Sequence, residues 1–303
     1  MYNTETINVQ FLNQSFLDKL DQGMTKEASV AMSAFVRQKL REDGFTRKIL
    51  EPALVTAADL DRQTTEEPTI IAEKEPDSVA ATIPFNARSQ IRYFKGSRYP
   101  VTFSKVQSNE FKKSKFELAT YRTDIRTILQ ENSVKDIQKQ EDGNFIAGVD
   151  AIISAQDGIS AGLGSKTTTG LVTISNVMEG IKEMAKKQLP VGCILMTQST
   201  YADVLKQPST QIGSIAASEL FRGQAQLDNF YGYKIITTIK NDVIADGVAY
   251  YFAPAAYLGQ MYLLQDCMVF LKTEADLVSF FTYESVGIGL GNVNAVYKVT
   301  FGA

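Results

Sequence analysis

Residues 66–77, EEPTIIAEKEPD, and residues 86–105, NARSQIRYFKGSRYPVTFSK, belong to two legs of opposite charge that flank the short break Thr82-Ile83-Pro84-Phe85. The acidic leg runs from Glu51 to Val79 and carries Asp59, Asp61, Glu66, Glu67, Glu73, Glu75 and Asp77 against only Arg62 and Lys74. The basic leg carries Arg88, Arg92, Lys95, Arg98 and Lys105 and no acid. Alternation at Tyr99, Val101 and Phe103 predicts extended strand, so residues 51–105 read as a long hairpin reaching away from its own domain. An isolated hairpin is marginal in water and must lie on something. A third strand elsewhere in the chain would serve, and composition alone favours it; the rest of the sequence favours another copy of the same molecule.

The chain of 303 residues has room for one large or two medium cores, and its composition is that of an ordinary soluble globular protein. Net charge is −3, which argues against tight nucleic-acid binding and leaves only loose contact through the basic segment. No apolar run is long enough to span a membrane. The N-terminus lacks the pattern of a secretory signal, so synthesis in a cytoplasm is expected. Cys193 and Cys267 each sit in an apolar, strand-like run and are expected to be buried, reduced thiols. Histidine is absent, which removes the commonest general base and the commonest ligand for zinc, copper or iron.

Along the chain, residues 1–24 read as a polar arm. Thr25 is placed to cap an amphipathic helix ended by Gly44. Lys115 to Arg122 reads as a strand, and a helical stretch begins at Asp124. Ser133 is placed to cap a longer helix whose apolar face is Val134, Ile137, Phe145, Val149, Ile152 and Ile153. Lys135-Asp136 and Gln138 to Asp142 form its solvated side. Residues 158–170 read as a flexible connector. Beyond it come a helix from Ile174 to Met184, a buried strand from Val191 to Thr197, a short helix capped by Ser199, another over 214–222, and strands at 233–239, 248–252, 268–273, 277–283 and 293–301. The fold class is α+β, with a central α/β domain inserted in a more elongated one, and the last strand must pair far back in the chain.

Chemistry is sparse. In Gly158-Ile-Ser-Ala-Gly162-Leu-Gly164-Ser165-Lys166-Thr167, Ser165 separates glycine from lysine, so the phosphate-loop spacing fails. Gly287-Ile-Gly289-Leu-Gly291 is too short for a dinucleotide fingerprint, and its glycines suit a bend or close strand packing. A serine nucleophile has no histidine to recruit, and the acid pairs Glu66-Glu67 and Glu141-Asp142 fall in polar stretches read as solvated. No catalytic residue, metal or cofactor is expected, and the chain reads as a structural part.

The order of parts resembles the major capsid proteins of tailed bacteriophages with the HK97-type fold. Their N-terminal arm corresponds to residues 1–50, and their extended loop to 51–105. The peripheral domain with its spine helix corresponds to 106–164 and 258–303, and the axial domain to 165–257. The stretches Phe116-Glu-Leu-Ala-Thr-Tyr-Arg-Thr-Asp-Ile-Arg-Thr-Ile and Asn229-Phe230-Tyr231-Gly232-Tyr233-Lys234-Ile235 are similar in texture to the family's peripheral and late axial segments. The resemblance implies an icosahedral shell built from hexamers and pentamers around phage DNA, a virion location, and help from a scaffolding protein, a portal and a decoration protein. An encapsulin-like shell, a tail or baseplate component, or a histidine-free hydrolase are the alternatives. Some relatives weld neighbours through a lysine–asparagine bond, for which Lys95 with Asn292 or Asn294 are the candidates here. Within such a shell, the acids from Asp59 to Asp77 are expected to face a neighbour's basic surface, such as Lys112, Lys113, Lys115 or Arg122.

Overall fold

The computed structural model describes residues 43–61, 67–73, 80, 82–88, 96–114, 125–170, 172–206, 229–230, 232–274 and 277–302. The arm helix after Thr25, the strand over 115–122 and the helix over 214–222 lie outside these residues. So do Glu66, Glu75, Asp77, Arg92, Lys95, Lys115 and Arg122.

The chain divides into two compact units. One gathers Met1–Arg41, Ser108–Asp136 and Val269–Thr282, the other Glu42–Gln107, Ile137–Met268 and Tyr283–Ala303. The larger unit is built on a six-stranded mixed sheet. Its strands are β6 (Ser165–Thr168), β7 (Cys193–Thr197), β8 (Asn229–Phe230), β9 (Tyr233–Thr238), β10 (Val248–Phe252) and β13 (Val296–Phe301), in the order β6-β13-β10-β7-β9-β8. Every residue of β7 and β10 is buried, the signature of central strands covered on both faces. Residues 158–170 are therefore not simply a connector, because β6 within them pairs parallel with β13, the terminal strand, more than a hundred residues downstream.

Helix α3 (Ile174–Lys186) begins where the Thr173 hydroxyl accepts from the Asn176 amide. It packs across β10 and β13. The approach is so close that a Cβ at Gly180 would lie 2.3 Å from the Tyr251 ring, whose hydroxyl donates to the Val177 carbonyl at 2.7 Å. Helix α4 (Gln198–Leu205) is capped by Thr197 rather than by Ser199: the Thr197 hydroxyl accepts from the Thr200 amide, and the helix starts two residues earlier than expected.

Helix α2 (Ile125–Ile159) is continuous over 35 residues, so Ser133 is buried inside it and starts no new helix. Ile137, Phe145, Val149 and Ile153 are buried as predicted, with Phe145 against Phe252 at 5.5 Å between ring centres. Glu141 and Asp142, read as part of the solvated side, are buried at 1% and 0% exposure.

A second sheet holds β1 (Pro52–Leu54), β11 (Gly259–Glu274), β12 (Leu277–Leu290) and β4 (Ser104–Gln107) in that order, β1 parallel to β11 and β4 antiparallel to residues 283–286. In the smaller unit, β5 (Phe111–Ser114) pairs antiparallel with residues 277–280 of β12. Strands β2 (Thr69–Glu73) and β3 (Arg98–Thr102) form a separate two-stranded hairpin with Thr69 opposite Thr102 and Glu73 opposite Arg98.

Candidate functional site

The hairpin is anchored at its root and bare at its end. Val101 is buried, and it is received by glycines of β12: a Cβ at Gly289 would lie 2.8 Å from its Cγ2, and one at Gly287 3.2 Å from its Cγ1. Tyr99 reaches Gly291 in the same way, its hydroxyl 2.7 Å from where a Cβ would stand. These glycines thus serve close strand packing. At the other end Phe85 is fully exposed, with Ile83 half-exposed beside it, on a turn closed by the Ala87 amide donating to the Pro84 carbonyl at 2.9 Å.

The charged candidates scatter along this frame. Glu73 pairs with Arg98 across the hairpin at 2.9 Å, so here the opposite charges of the legs meet each other within one chain. Both side chains are about two-thirds exposed, and a pair of this kind sets register more than strength. The Asp59 carboxylate accepts from the Thr56 hydroxyl and amide, which hold it below its ordinary value. Asp61 is half-buried, while Glu67 and Arg88 are exposed. Lys112 lies 3.6 Å from Glu110, and Lys113 stands opposite Val278 in the ladder. Asn292 uses its side-chain oxygen to accept from the Asn294 amide, capping the short turn at 293–295. A cleft of about 430 Å³ at the hairpin root is lined by Ala72, Glu73, Tyr99, Tyr257, Tyr262 and Asn292 among others. Its carboxylate, Glu73, is the one bonded to Arg98.

The most concentrated chemistry lies where the segment 43–50, containing the single-turn helix α1 (Thr46–Ile49), meets α2. Asp142 accepts from the amides of Phe45 and Thr46 at 3.0 and 2.9 Å, from the Thr46 hydroxyl at 2.8 Å, and from Lys240 Nζ at 2.6 Å. One carboxylate thereby satisfies the free amides at the start of α1 and neutralises a buried ammonium. Beside it, Arg47 holds three carboxylates: Glu141 at 3.2 Å, Glu284 at 2.9 Å and Asp266 at 3.1 Å. Burial pushes Glu141 up to about 8, against the pull of Arg47, and Glu284 adds to the rise. Glu284 is raised chiefly by burial too. Around Arg47, burial is outweighed by its carboxylates, and its guanidinium is held above its ordinary value.

Sequence reading missed this cluster, yet a signal was present. Ile137, Glu141, Phe145 and Val149 are spaced by four, which puts Glu141 inside the apolar stripe of α2. Nothing in the sequence marks Arg47, Lys240 or Glu284 as its partners. Of the two thiols, Cys193 is buried and Cys267 half-buried, and burial pushes both up to about 12, which keeps them protonated and unreactive. Among the described residues no group of side chains is arranged to hold a metal ion, and no helix is long and apolar enough to cross a membrane.

No family model and no curated protein matches the sequence. Solved structures do. The chain is similar to one from Mycobacterium phage Bobi at TM-score 0.63 and 12% identity, over 88% of this chain and 92% of that one. It is similar to the mature capsid of bacteriophage PhiM1 at TM-score 0.60 and 9% identity, over 87% and 89%. It is similar to the capsid of the cyanophage P-SCSP1u at TM-score 0.61 and 10% identity, over 86% and 88%. Similarity that runs through most of both partners at such low identity is a likeness of backbone path. The chain has the HK97-type capsid fold.

Proposed function

We propose that this protein is a major capsid protein, a non-enzymatic subunit that assembles with copies of itself into an icosahedral shell of hexamers and pentamers enclosing phage DNA. The observation that carries the reading is the likeness, through nearly the whole chain, to proteins of solved capsids. The hairpin supports it: its root is seated in its own chain, while the apolar turn at Ile83 and Phe85 is left exposed among the described residues. Residues 1–50 act as the arm, 51–105 as the loop laid on a neighbour, 106–164 and 258–303 as the peripheral domain, and 165–257 as the axial domain.

In this reading the acids Asp59, Asp61 and Glu67, with Arg88, Lys112 and Lys113, tune the register between neighbours, while Glu73 and Arg98 pair within the hairpin. Buried apolar surface supplies the strength. Many weak, repeated contacts suffice for a closed shell and allow errors to be corrected. Scaffolding protein, portal and a decoration protein are the further partners. The subunit is made in the host cytoplasm and ends in the virion, in loose contact with DNA. Negative-stain microscopy of the purified protein, alone and with its scaffolding partner, tests the proposal. Closed, regular shells are expected. Open tubes or rings, or a small soluble oligomer, overturn it, and shells filled with a folded enzyme instead of DNA redirect it to a cellular compartment.

A further inference from the structure

Glu284 is fully buried, and among the described residues its Oε1 accepts no hydrogen bond, although its Oε2 is held by Arg47 at 2.9 Å. The neighbouring Glu141 carboxyl is within bonding reach of Glu284, but two carboxylates cannot donate to each other. Ionised throughout, Glu141 and Glu284 set two buried negative charges against the single guanidinium of Arg47. Asp266, the third partner, is more than half exposed and screened by water. The other groups around the site relieve nothing. Asp142 is already occupied by Lys240 and by the Phe45 and Thr46 amides, Cys267 on β11 is a protonated thiol, and Val106 of β4 stands opposite Glu284. One proton placed between the two glutamates supplies the missing donor and makes the buried set electrically neutral.

We propose that Glu141 and Glu284 share a single proton inside the subunit, and that this proton fastens the segment 43–50 to helix α2, so that acid tightens the fastening and alkali loosens it. Segment 43–50 supplies Arg47 and covers the site, and its release admits water to Glu141. Because burial is the main reason that Glu141 stands at about 8 rather than at its ordinary 4.5, release lets it ionise in the intervening range. Closing therefore takes up one proton between about pH 5 and 8. The closing equilibrium weakens about tenfold per pH unit across that window and levels off above it.

The test is amide hydrogen exchange on the full chain, corrected for intrinsic rates, comparing Phe45, Thr46, Lys48 and Leu50 with Met196 in the core of β7. Relative protection of the segment is expected to fall by about 100-fold from pH 5.5 to pH 7.5 and to flatten beyond pH 8, following one proton per closure. Glu141→Gln, which carries a donor at every pH, is expected to abolish the slope. Infrared spectra of the wild-type protein should also show a neutral carboxylic-acid band at pH 7 that titrates away near pH 8 and is absent in Glu141→Gln. A flat wild-type profile, a slope that survives Glu141→Gln, or no neutral acid band at pH 7 overturns the proposal. If the variant does not fold, titration of the wild-type band decides it.

Discussion

Asp142 shows how much one side chain can carry. It receives the amides that open α1 and the buried ammonium of Lys240, so its loss leaves both an uncompensated charge and orphaned donors. Asp142→Ala is expected to destabilise the subunit by about 3–5 kcal/mol in urea unfolding, the range found when one partner of a buried pair is removed. Asp157 has a smaller role of the same kind. Burial pushes it up, but the Ser165 hydroxyl and the Gly164 and Ser165 amides outweigh that and hold it below its ordinary value. Its ionised form ties the end of α2 to the start of β6. Asp157→Ala is expected to cost about 1–2 kcal/mol by the same measurement.

Among the elements, α2 and α3 contain glycines with opposite meanings. Gly180 is required by contact, since a Cβ there collides with the Tyr251 ring. Gly180→Ala is expected to lower stability by about 1–3 kcal/mol as α3 is pushed off the sheet. Gly143 meets nothing within 4 Å in the middle of α2, and Gly143→Ala is expected to raise stability by about 0.5–1 kcal/mol. Thermal unfolding of the two variants reads both signs. The hairpin makes a different kind of element, since its anchor and its free end serve different purposes. Phe85 is fully exposed among the described residues, so in Phe85→Ser unfolding should change by less than about 0.5 kcal/mol while the yield of assembled particles falls sharply in sedimentation. Equal yield from the variant would remove the apolar turn from the assembly mechanism.

For the whole molecule, pH acts with two signs. Glu141 is raised above its unfolded value, so its contribution is present in full below about pH 4.5 and is lost as pH rises through about 8. Asp157, Glu179 and Asp242 are lowered, so their contributions are present above the ordinary carboxylate range and are lost as pH falls through their folded values. Stability in urea is expected to peak at mildly acid pH, with a decline toward pH 8 that disappears in Glu141→Gln. A maximum above pH 8 in the wild-type protein would contradict this ordering.

Much of the architecture was legible because it depends on local pattern. The apolar run at 191–197 marked a buried strand and that at 248–252 a further strand, and the α+β class follows from their order with the helices. The spacing of Ile137, Phe145, Val149 and Ile153 marked one face of a long helix, and the spaced glycines of β12 foretold close packing. Opposed charge marked a hairpin within 51–105, but its paired strands are only 69–73 and 98–102, because 52–54 and 104–107 pair instead with β11 and β12. What the pattern does not contain is the partner of a residue distant in sequence. Glu141 and Asp142 looked like solvated acids because Arg47 and Lys240, about a hundred residues away on either side, become their counter-charges only when α1 and the turn after β9 close over α2. Ser133 and Ser199 looked like caps because hydroxyls favour helix starts, but a serine caps only where the chain actually turns. Residue type and periodicity thus determined which faces seek cover. Tertiary structure alone decided which buried charges are paired, since that depends on distances of a few ångströms between segments that sequence separation does not encode.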